Sequence, residues 1–87
     1  MSKTIYKYPF SETNSLELPK GAEIIHIGPD PQGSASVWAI VDPTADMETR
    51  RIYIIGTGQP LPYGELEHLD TRNDGPFVWH TFVEVAQ

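Results

Sequence analysis

The sequence predicts a mostly β domain: a small antiparallel sandwich or partly open barrel of six or seven short strands, with little helix. Three observations carry this. Eight prolines and seven glycines punctuate only 87 residues. No segment sustains the 3.6-residue helical period for three turns. Apolar, β-branched runs, residues 36–41 and 52–55 above all, end in clusters of chain breakers.

Residues 4–10 alternate, with Tyr6, Tyr8 and Phe10 on one face and Lys7 on the other. Pro9 denies the ladder a donor and marks an edge strand or a strand end. Residues 11–15 read as a polar turn, 16–19 as a second short strand, and Lys20-Gly21 as another turn. A third strand over 23–27 puts Ile25 and Ile27 on one face and Ile24 with His26 on the other. Residues 28–33 hold two prolines and two glycines and form a hairpin loop into strand four, residues 35–41. Strand four is apolar on both faces, Val37, Ala39 and Val41 against Trp38 and Ile40, which places it centrally in a sheet or under a second layer.

Asp42-Pro43 ends that strand, and residues 44–49 make either one helical turn capped by Asp42 or Thr44, or a loop. Strand five covers 51–55. An excursion over 61–67 turns at Gly64, and strand six covers 67–71. Arg72-Asn73-Asp74-Gly75 is a turn signal. A long last strand over 77–85 sets Phe77, Trp79, Thr81, Val83 and Val85 on one face and Val78, His80 and Phe82 on the other. Edges left uncovered in so small a fold predict a homo-oligomer built strand to strand.

The length fits one β-rich domain over residues 1–87 with one core. The absence of cysteine excludes disulfides and thiolate metal sites. Nothing approaches the roughly 18 apolar residues of a membrane helix. Residues 1–10 lack the apolar stretch of a signal peptide, so the expectation is a cytoplasmic protein without membrane contact. Twelve acidic against six basic side chains give a net charge of −6. That balance opposes general binding to a nucleic-acid backbone. It leaves a solvated acidic surface, or a face that docks on a basic partner.

No HExxH, nucleophile elbow or lysine-bearing P-loop is present, and the expectation is a non-catalytic protein without cofactor or metal. His26, His68 and His80 lack metal-ligand spacing, and His80 and Glu84 sit two pleats apart, too far for direct general-base pairing. Gly56-Thr57-Gly58 has two readings, a tight turn after strand five or a concavity of backbone donors for an anionic or polar group. Trp38 and Trp79 are core anchors, or platforms for a base where exposed. Arg50, Arg51 and Arg72 offer planar forks that match phosphate oxygens. The candidate ligand-binding set is therefore Gly56, Thr57, Gly58 and Gln59 with Arg50, Arg51, Trp38, Trp79 and His80.

Five segments carry a resemblance: residues 4–9 (TIYKYP), 18–22 (LPKGA), 38–43 (WAIVDP), 56–62 (GTGQPLP) and 77–82 (FVWHTF). Together they resemble, over nearly the whole chain, an uncharacterised family of short proteins encoded by tailed bacteriophages and prophages. The resemblance brings no known activity. By analogy with small acidic phage proteins it implies a non-catalytic binder that counters host immunity by sequestering a nucleotide-like signal in the infected cell. An acidic inhibitor of a basic host defence effector, such as the nucleic-acid channel of a CRISPR effector, is the second reading. A small hydrolase is the third.

Overall fold

The computed structural model describes residues 2–10 and 15–85. Seven strands follow in order: β1 (Thr4–Pro9), β2 (Ser15–Pro19), β3 (Glu23–Pro29), β4 (Ala35–Val41), β5 (Met47–Gly56), β6 (Leu66–Asp74) and β7 (Phe77–Glu84). They form a three-stranded sheet, β1-β4-β3, and a four-stranded sheet, β2-β5-β7-β6, with every pair antiparallel. Among the described residues there is no helix. The result is a small all-β sandwich with open edges, as the alternation predicts. Of the polar turn expected over 11–15, only Ser15 lies within the described residues, and it opens β2.

β4 is central in its sheet, and the three strands that end in proline, β1, β2 and β3, are edge strands. A missing N–H costs nothing on the side of an edge strand that no neighbour pairs. The core is Leu16, Leu18, Ala22, Ile24, Val37, Ala39, Val41, Ile52 and Val83, with Tyr8, Phe10, Ile27 and Leu69 packed around it.

Three local expectations are corrected or narrowed. The alternation of β3 breaks at a bulge, because Ile24 pairs with Ala39 while His26 already pairs with Trp38. Ile25 is the extra residue, so Ile24 and Ile27 share the core side, and Ile25 is 47% exposed. Of the two readings of residues 44–49, the loop holds as far as Asp46 and the helical turn does not form. The Asp42 carboxylate accepts from the Thr44 N–H at 3.0 Å and the Ala45 N–H bonds to the Asp42 carbonyl, closing a tight turn. Met47, Glu48 and Thr49 then enter β5 opposite β2. Finally, Arg72, Asn73 and Asp74 are strand, not turn. Only Gly75 (φ 58°) and Pro76 link β6 to β7, and Asp74 faces Phe77.

Arg50 is buried on the inward side of β5. Its Nε donates to the Glu84 carbonyl at 2.9 Å and its guanidinium NH1 to the Ala22 carbonyl at 2.9 Å. Glu84 lies at the end of β7 and Ala22 just before β3, so one side chain ties the two sheets together. Glu84 also accepts the Arg51 N–H on its carboxylate at 2.7 Å, just beyond the last β5–β7 pair, Ile52 with Val83.

The β3–β4 loop is organised by Asp30. One carboxylate oxygen accepts the N–H groups of Gln32 and Ser34 at 2.9 Å each, and the other pairs with Lys7 Nζ at 2.9 Å. The Lys7 bond, then the Ser34 amide, hold the Asp30 carboxyl below its ordinary 3.8.

Two outcomes are expected. Arg50→Ala will lower the unfolding free energy by about 2–4 kcal/mol, because two carbonyls lose a charged donor, and chemical denaturation measures it. Arg50→Lys will recover part, since one ammonium cannot serve both acceptors with a planar fork. Because Asp30 has a depressed native pKa, the unfolded chain binds its proton first as acid is added. Its stabilisation is therefore complete above the unfolded value and is lost as pH falls through the native one. The thermal midpoint of Asp30→Asn will lie below that of the parent at neutral pH, and the difference will begin to shrink only as pH falls below about 4.

Candidate functional site

Inward side chains of the four-stranded sheet form rows across it. Ile52 and Val83 make one row, Ile54, Thr81 and Asp70 the next, and Gly56, Trp79 and Arg72 the one after; Phe77 and Asp74 lie at the rim. Exposure along these rows changes abruptly. Val83 and Ile52 are at most 1% exposed and Thr81 is 3%, whereas Ile54 is 39% and Phe77 59%. The cause is strand length: β5, β6 and β7 have 10, 9 and 8 residues, while β1, β3 and β4 have 6 or 7. The shorter sheet stops and the inner face of the longer one continues into solvent.

Two adjoining hollows occupy this overhang. One, of about 630 Å³, has Ile54, Thr81, Asp70 and Arg72 on its floor and Gly28, Pro29, Gly33 and Ala35 of the β3–β4 hairpin as its wall. The other, of about 480 Å³, is bounded by Ile54, Trp79, Arg72, Asn73 and Asp74. Both fall in the size range of small-ligand clefts, and apolar walls with a few convergent polar groups are the usual composition. Phe77 and Trp79 extend an aromatic strip along β7, ring centres 6.0 Å apart. Arg72 stands directly across from Trp79. Its guanidinium has no hydrogen bond or ion pair among the described residues.

The structure distributes the sequence-predicted site residues over several places. Trp79 lines the cleft, half-buried. Trp38 is on the other sheet, turned to its outer side with its ring 5.3 Å from that of His26, so the two tryptophans serve no common site. Arg50 is the buried tie, and Arg51 is exposed on the opposite side of β5 from Arg50. Residues 56–59 form a tight turn with most of its amides engaged inside the protein. Gly56 N–H donates to Gln59 Oε1 at 2.7 Å, Gln59 N–H to the Gly56 carbonyl at 3.0 Å, and Thr57 N–H to the Val78 carbonyl at 3.2 Å. Gly58 supplies the left-handed corner, φ 93°.

His80 points away from the cleft. Its Nε2 lies 2.8 Å from Thr57 Oγ1 and its Nδ1 3.0 Å from Thr71 Oγ1, which in turn is 2.8 Å from His68 Nε2. This chain of hydroxyls and imidazoles braces the turn to β6 on the outer side of the sheet. Among the described residues no three His, Asp or Glu side chains converge as metal ligands, and no helix is long and apolar enough to cross a membrane.

Sequence reasoning offered Arg72 as a phosphate fork and put Thr81 on the face of Trp79, but did not bring Arg72, Asp70 and Ile54 together beside Trp79. The signal was available. Setting the hairpin turn on Gly75-Pro76 rather than over residues 72–75 pairs Arg72 with Trp79 at once, and alternation then brings Asp70 to the same side.

The need for glycine at position 56 is one of close approach. A β-carbon there would stand 3.2 Å from Trp79 Cζ3 and 3.1 Å from Gln59 Oε1. Gly56→Ala will destabilise the fold by about 1–3 kcal/mol through overpacking. Pairing it with Trp79→Phe will recover part of that loss in denaturant titrations.

No curated protein and no solved structure matches the chain. The family model of the Domain of unknown function (DUF7352) matches residues 1–87, and the chain belongs to that family.

Proposed function

We propose that the protein is a non-catalytic binding module that takes a small, planar, anionic ligand of nucleotide type into the cleft at the overhanging end of the sandwich. The observation that carries this reading is Arg72 set opposite Trp79 on an open inner face, without a protein partner among the described residues. The indole gives a face for stacking, and the guanidinium gives two parallel donors for phosphate or carboxylate oxygens. Ile54 and the hairpin residues Pro29 and Ala35 supply the apolar contact area. The resemblance to short tailed-phage proteins supports a nucleotide signal of a bacterial host as the ligand, sequestered in the host cytoplasm to blunt its immunity. The unpaired outer edges of β1 and β2 favour assembly into a homo-oligomer.

Calorimetric titration with a panel of nucleoside mono- and diphosphates, adenosine diphosphate-ribose and cyclic di- and trinucleotides tests the reading. The parent will bind at least one of them at about 10 μM or better. Arg72→Ala will weaken that ligand by about 1.5–3 kcal/mol, the worth of a charge-assisted hydrogen bond. Trp79→Ala will weaken it too, while Trp38→Phe will leave it unchanged. A parent protein that binds none of them, yet captures a single basic host protein, overturns the nucleotide reading in favour of an acidic inhibitor.

A further inference from the structure

We infer that the cleft is bipartite and selects a ligand with two flat groups joined by a singly charged phosphodiester, rather than a terminal phosphate. The inference rests on the reading of Arg72 and Trp79 as a ligand site, and two features of the cleft carry it further.

The first is shape. The two hollows meet at Ile54 and Arg72, which line both. Each is large enough for a small-molecule group. One offers the Trp79 ring beside Phe77. The other is a slot between Ile54 and the hairpin backbone at Gly28 and Gly33. An anion held by Arg72 therefore lies at the waist of the site, with room for a flat group on each side.

The second is charge. Asp70, Arg72 and Asp74 pair with Thr81, Trp79 and Phe77, which share one side of β7, so the three alternate along the inward side of β6. Successive members are about 7 Å apart at the usual rise of a strand. Two carboxylates thus flank one guanidinium, and neither makes a side-chain hydrogen bond among the described residues. A phosphomonoester near neutral pH carries close to two negative charges and meets both carboxylates at short range. A diester carries one, which Arg72 matches, and the flanking carboxylates are left to accept hydrogen bonds from ring amines or sugar hydroxyls on either side. Specificity against the monoester comes from this built-in repulsion.

The experiment compares three ligands in each of the adenine, guanine and uracil series: the nucleoside monophosphate, its methyl ester, and the dinucleoside monophosphate. Affinities are measured by calorimetry in low salt. In the series that binds, the dinucleoside monophosphate is expected to bind at least tenfold more tightly than the methyl ester, and the methyl ester at least threefold more tightly than the monophosphate. Ala35→Phe, placed where β4 begins at an exposed position of the slot wall, should cut the dinucleoside advantage over the methyl ester to less than threefold. Its thermal midpoint reports that the fold is intact. Asp70→Asn with Asp74→Asn should remove the preference for the methyl ester over the monophosphate. A monophosphate that binds through Arg72 as tightly as the dinucleoside overturns the bipartite diester and leaves the Arg72 and Trp79 site standing. If none of the nine compounds binds, the bipartite diester reading falls, and the wider nucleotide panel decides whether the Arg72 and Trp79 site stands.

Discussion

Arg50 holds the inner side of β5 where the two sheets come together, and its two bonds reach the chain just before β3 and the end of β7. In a core of nine residues, several of them alanine or valine, such a tie carries more weight than it would in a larger domain. It puts a buried cation against carbonyl dipoles, and Glu48, at the next inward position of β5, brings a carboxylate near in the chain. The same contact sets register. Glu84 accepts Arg50 on its carbonyl and the Arg51 amide on its carboxylate, which pins β7 against β5 where their ladder stops. Every row farther along that sheet, including the row with Trp79, follows from this alignment.

The cleft is a consequence of unequal strand lengths acting on a sheet so aligned. Inward positions that would be core under a longer partner sheet become the floor of an open site, and the side chains change to match. Val83 and Ile52 are followed by Thr81 and Ile54, then by Trp79 and Arg72. Polar groups enter as solvent does. A charged fork beside an indole is tolerated there because the overhang leaves both within reach of water, at little desolvation cost.

The glycine-rich turn lies at the end of the same strand and serves the site indirectly. Gln59 and Thr57 satisfy the turn from within, and Gly56 clears the space into which the Trp79 ring packs. On the opposite side, His80 links Thr57 to Thr71 and extends to His68, so the turn and β6 are braced together behind the floor of the cleft. Among the described residues the inner side leaves Arg72 without a hydrogen-bond partner, while the outer side closes its hydrogen bonds.

Alternation and chain breakers by themselves determined the β class and the two sides of β7, and narrowed β4 to a central or covered strand and β1 to an edge strand or a strand end, because those signals depend on nearest neighbours along the chain. They also located the turn after β5. Bulges and registers were decided by tertiary structure. The extra residue at Ile25 reverses which isoleucines of β3 face inward, and only pairing with β4 reveals it. Asp-Gly at 74–75 carries a local turn preference, but the pairing of β6 with β7 draws Asp74 into the ladder and leaves Gly75-Pro76 to turn. Arg50 and Arg51 are adjacent and alike in sequence, yet the pleat buries one as a tie and exposes the other. Arg72 comes to face Trp79 for the same reason: what a charged side chain does depends on the strand across from it, and a linear sequence does not contain that distance.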